Sequence, residues 1–183
     1  MWLYIRQLIQ LVLSPSRGWE DISAAAQTPA EVQRSGYVPW LAVTAASELV
    51  PLWYSPGLTV WAAIESAIAV AGAMFVSVYL ARIFLDMTLR EHVDGGEVNP
   101  VRTGVFVLYT VGLVCLYRVV ANLLPAALTL VHFLPLLSVP VIFKAARYVG
   151  VKTDSVMAFT GLAAVAVIVL PMCMAGLLLL ITH

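Results

Sequence analysis

With 183 residues, 62% of them hydrophobic and only 11% charged, and a mean hydropathy of +0.95, the chain carries more apolar surface than one small water-soluble core can hide. Soluble domains run at about 45–50% apolar and about 25% charged. Ten basic residues balance ten acidic ones, so no basic surface advertises nucleic acid, which is excluded as a partner.

In chain order, 1–36 reads as a cytoplasmic, interfacial segment and 37–183 as one transmembrane domain. Near the start, Arg6, Gln10, Ser14 and Arg17 recur at three- and four-residue steps while Trp2, Ile5, Ile9 and Val12 take the other side. This is the pattern of an amphipathic helix lying in the membrane surface. It is too short to cross, and Pro15 ends it. A cleaved leader is not expected, because Gln7 and Gln10 interrupt the apolar stretch and Glu20 and Asp21 precede the small residues at 24–26.

A helix needs about 20 apolar residues to cross the hydrocarbon layer, and five such stretches follow, at about 37–54, 58–85, 101–124, 126–143 and 155–181. The fold class expected is therefore an all-α integral membrane protein, five transmembrane helices preceded by an interfacial amphipathic helix. Ser55-Pro56-Gly57 turns the first crossing into the second, and Pro125 the third into the fourth. Ala69, Ala73, Ser77 and Ala81 make a small-residue stripe on the second, suited to close helix approach in lipid. The segment 86–100 is a polar loop with a Gly95-Gly96 turn, and 144–154 a short basic one. Pro135 and Pro140 should kink or break the fourth helix, and Pro171 lies within the fifth. Cys115 and Cys173 lie in apolar runs without metal-ligand spacing and read as small core hydrophobes.

Basic residues near span ends stay in the cytoplasm. Nine of the ten Lys and Arg, all but Arg118, fall on one side of the five-span arrangement, which puts the N-terminus inside and His183 outside. The location expected is a bacterial inner membrane.

Glu48, Glu65, Arg118 and His132 lie inside the apolar runs, each within seven to nine residues of the turn at Pro56 or Pro125. At 1.5 Å per residue all four sit roughly 10–14 Å below the outer turns. Thr44 and Ser47 share turns with Glu48, and Asn122 follows Arg118 by four residues, extending a polar face on both helices. Charges at such depth face the protein interior or water. One reading is a structural ion pair of Arg118 with one or both carboxylates; the other is a proton relay or an ion or metal site built from two carboxylates and a His. The Arg counts against a bound cation, and no metal or cofactor is expected. Arg82 is explained by snorkelling with Asp86 four residues on. Neither HExxH nor GxSxG occurs, and every Asp lies in a polar segment or at a helix end, so no catalytic residue and no enzyme is expected.

Leu11-Val12-Leu13-Ser14-Pro15 followed by Trp19 and Ile22, then Phe133-Leu134-Pro135 leading to Ala145-Ala146-Arg147-Tyr148 and Gly150, and last a final helix containing Pro171, stand in an order that resembles the Yip1 domain family in its short bacterial form. The resemblance implies five crossings with the polar loop between the second and third. It supplies no catalytic residues. Eukaryotic members of that family are associated with Rab GTPases and vesicle traffic through a longer cytosolic N-terminus; without that extension and without an Asp-Leu-Tyr-Gly-Pro signature, a GTPase partner is not expected here. The expectation is a non-enzymatic membrane protein acting on the bilayer through lipid or protein contacts, in membrane organisation or a trafficking-like role, with a membrane-protein partner or a second copy left open. The alternative is a small proton- or ion-coupled transporter or channel using the Glu48, Glu65, Arg118 and His132 cluster.

Overall fold

The computed structural model describes residues 1–93, 96–124 and 129–182. Every regular element among them is helical, the one strand-like contact being an isolated bridge between Val93 and Val151. The expected turn at Pro125 lies outside the described residues, as do Asp94, Gly95 and His183.

Three helices are long and apolar enough to cross a membrane: α5 (Val60–Thr88), α6 (Pro100–Leu123), and the run Thr153–Leu180, in which a 3-10 turn (Thr153–Ser155) leads into α8 (Val156–Ala164), a π-turn (Val165–Val169) and α9 (Leu170–Thr182). Their starts follow local chemistry. The Thr59 hydroxyl accepts the free Ala62 N–H, and the Asn99 side chain accepts those of Val101 and Arg102 ahead of Pro100, which has no N–H to satisfy. α6 is the axis of the molecule, with every residue from Thr103 to Cys115 buried.

The expected first crossing, 37–54, is not among these three, and its helix begins ahead of it. α3 (Pro29–Val32) opens on Thr28 and Glu31, which cap each other's backbone, and continues through a π-turn (Gln33–Tyr37) into α4 (Val38–Ser47). The two π-turns have one cause. Pro39 and Pro171 each stand two residues beyond a π-turn. A proline cannot complete the four-residue ladder and crowds the carbonyl one turn back; the wider turn, with Val38 N–H on Gln33 O and Leu170 N–H on Val165 O, carries the helix past it. Pro171 therefore leaves the last crossing continuous.

Several boundaries differ from the sequence reading. α4 stops at Ser47, not near 54, because Pro51 withholds the next rung, and a 3-10 turn (Val50–Trp53) follows. Lys144 and Arg147 are not in a loop: α7 (Ser138–Val149) carries both and ends only where Gly150 takes a positive φ of 89°. It is preceded by a 3-10 segment (Thr129–Leu137) containing Pro135, while Pro140 falls in the first turn of α7, where it breaks nothing. Cys115 is buried as expected, but Cys173 is exposed.

Before these come α1 (Trp2–Leu13) and α2 (Pro15–Ala25), with Pro15 opening the second helix as it ends the first. Trp2, Ile9 and Leu13 point outward, but α1 has a third face that the two-sided pattern missed: Tyr4, Gln7, Leu8 and Leu11 are buried. The Tyr4 ring sits on Gly36 and its hydroxyl donates to Leu108 O beside Gly112; a Cβ at either glycine would strike it. On α2, Trp19 donates to Val141 O and stacks on Tyr148 at 5.1 Å.

Two sets of contacts define the ends of the bundle. Lys152 N–H donates to His92 O, and Arg102 to Tyr148 O, so the connections after α5 and after α7 lie together. At the other end the Tyr54 hydroxyl donates to Asn122 O. The small-residue stripe on α5 is buried, with the Ser77 hydroxyl 3.7 Å from the Met174 sulfur of α9.

Candidate functional site: a carboxylate clamped between helices

Glu48 ends α4, where the helix dipole disfavours a negative charge. It is 4% exposed, and an unpaired carboxylate at such a place is costly. Its partners come from the two neighbouring long helices. Arg118 of α6 meets it edge-on, Nε on Oε1 at 2.7 Å and Nη2 on Oε2 at 2.8 Å. One helical turn further along α6, the Asn122 amide donates to Oε1 at 2.8 Å, and from α5 the Ser66 hydroxyl donates to Oε2 at 2.7 Å. A carboxylate offers about four lone-pair directions, and all four are taken. The bidentate fork is the strong form of such a bond and fixes orientation as well as distance.

A second tier holds the first. Asn122 also donates to the Ser47 hydroxyl at 3.0 Å, which in turn donates to Thr44 O. Thr44 bonds back to Trp40 O on its own helix and does not reach Glu48. Of the residues picked from the sequence, the structure thus joins Glu48, Arg118, Ser47 and Asn122 in one network, with Thr44 on its border.

Glu65 does not join. It is half-buried, and no ion pair or hydrogen bond reaches it among the described residues; the one ion pair among them is Arg118–Glu48. For His132 the structure gives a backbone position in the 3-10 segment, and its side chain lies outside the described ones. Ser66 is the member the sequence reading missed. Its signal lay in the phase of the α5 stripe: a four-residue step drifts about 40° around a helix. Ser66, seven residues before Ala73, stays on the buried face, while Glu65 at the head of the four-residue row has rotated off it.

The guanidinium is more open than the carboxylate, its side chain 39% exposed against 3%. What it faces is a cavity of about 270 Å³ between α5, α6 and α9, lined by Val70, Met74, Val114, Ala121, Met172 and Leu179 among others. Among the described residues, Tyr117 is the one besides Arg118 to bring a polar side chain to that lining. Comparison with family models, with curated proteins and with solved structures finds no match to this chain.

Proposed function

We propose that the chain is a non-enzymatic, five-crossing protein of a bacterial inner membrane, of Yip1 type, which acts through lipid or protein contacts and uses its buried ion pair as a structural clamp. The observation that carries this reading is the saturated carboxylate of Glu48, bound on both oxygens by groups from two other helices. A transporting carboxylate must exchange a proton or an ion within each cycle, and here that would mean breaking a bidentate pair and two further hydrogen bonds. Among the described residues, the mostly apolar lining beside Arg118 supplies no chain of polar groups to lead a proton or ion there.

The five-crossing reading draws on the bundle ends. The bond of Lys152 to His92 suits connections on one side of the membrane, which requires the 3-10 segment and α7 together to return the chain across it. The basic residues favour the cytoplasm for that side. Exposed Trp2, Ile9 and Leu13 suit α1 to the inner surface of the bilayer.

The test is flux. Proteoliposomes of the purified protein, given a proton, sodium or potassium gradient, should leak no faster than empty vesicles, with Glu48→Gln unchanged. A flux carried by the wild type and abolished by Glu48→Gln establishes the transporter reading instead.

A further inference from the structure

A second concavity, about 610 Å³, opens where α2, the start of α6, the end of α7 and the start of α8 meet. Its walls bring together Arg102, Lys144 and Arg147, with Glu20 as the one carboxylate among the described residues that line it. The three cations are exposed and none is in an ion pair among the described residues. Ser16 and Ser23 of α2 add hydroxyls, while Trp19, stacked on Tyr148, and the exposed Phe143 give it an apolar side. Two of its residues fix its level: Arg102 is the third residue of α6 and Val156 the first of α8, so the pocket lies where two long apolar helices begin. Three exposed cations lining one partly apolar pocket, at that level, match a ligand with a phosphate at one end and acyl chains at the other.

We propose that this pocket is a headgroup site for an anionic phospholipid, whose phosphate is held by Arg102, Lys144 and Arg147 and whose glycerol end lies against Trp19 and Phe143. The site gives the lipid contacts of the proposed function a place, and rests on that reading for its membrane setting. The two helices α2 and α7 that wall it are tied by the Trp19 bond to Val141 O, so an occupied site would brace the N-terminal segment against the bundle.

Native mass spectrometry of the detergent-purified protein tests this, titrated with phosphatidylglycerol, with phosphatidylcholine and with inorganic phosphate. Each basic group near a membrane surface contributes about five-fold in affinity for anionic lipid. The triple variant Arg102→Gln, Lys144→Gln, Arg147→Gln should therefore lose phosphatidylglycerol by about a hundred-fold, with about ten-fold the least loss the site allows, whereas Arg34→Gln with Arg90→Gln, exposed cations that do not line the pocket, should not. Glu20→Gln removes the opposing charge and should bind tighter, a gain that misfolding cannot imitate and that decides the matter alone if the triple variant does not fold. The site is overturned by a smaller loss in a folded triple variant, by no gain in Glu20→Gln, or by inorganic phosphate displacing the lipid at equal concentration. A triple variant with unchanged melting temperature and no lipid effect refutes the site while leaving the clamp and the membrane reading intact.

Discussion

Truncating Arg118 to Ala leaves the Glu48 carboxylate, 4% exposed, with only Asn122 and Ser66 as donors. Removing one member of a buried pair costs about 3–5 kcal/mol; the open edge of Arg118 lowers this toward the smaller figure, about 3 kcal/mol. Glu48→Gln should cost less by itself, because the amide keeps an acceptor for one donor. In the double variant the stranded charge is gone, so the two losses should fall short of adding by about 2 kcal/mol. For a chain of this size 1 kcal/mol moves the melting temperature by roughly 2–4 °C, which puts Arg118→Ala roughly 6–12 °C down in a detergent thermal-shift assay. The companion cycle with Glu65→Gln should be additive, since Glu65 makes no bond to Arg118. Additive losses in the Glu48 cycle, or coupling in the Glu65 cycle, would refute the assignment of the pair.

Gly112→Ala gains helix propensity of about 1 kcal/mol, yet its Cβ would strike the Tyr4 hydroxyl, and overpacking of that kind costs about 1–3 kcal/mol. A lower melting temperature is expected, with faster proteolysis of the first helix, whereas Gly161→Ala, which meets open space, should show neither. At the start of α3, the backbone N–H and hydroxyl of Thr28 hold the Glu31 carboxyl below its ordinary value. A depressed folded value means the stabilisation is whole above the ordinary carboxylate range and fades as the pH falls through the lowered one. Thr28→Ala should therefore lower the melting temperature at neutral pH and less so in strong acid.

The long helices were legible because apolar runs bounded by Pro, Gly and polar caps leave few alternatives in a membrane. So was the meeting of Glu48 with Arg118, since equal distances from two turns put a carboxylate and a guanidinium at one level. What the sequence hid depends on rotation and on proline. Glu65 and Ser66 are adjacent residues a hundred degrees apart on α5, and depth below a turn, nearly equal for both, does not tell which of them faces the pair. Hydropathy runs smoothly through Leu49 to Tyr54, so only the missing N–H of Pro51 marks the end of α4. Tyr4 was hidden by partners in distant segments: a buried tyrosine on a short helix finds Gly36 and Gly112 only in three dimensions. Lys144 and Arg147 read as a loop from charge alone, yet both are good helix formers and Gly150 is what stops α7.

The number of crossings is tested most directly by the sidedness of three positions. Single cysteines at His92 and Lys152, in a chain with Cys115 and Cys173 replaced, together with a reporter fused after His183, locate each with respect to the membrane. Five crossings place His92 and Lys152 both in the cytoplasm, as the bond between their backbones suits, and the His183 reporter outside. His92 and Lys152 labelled from opposite sides, or a cytoplasmic reporter, would contradict the account.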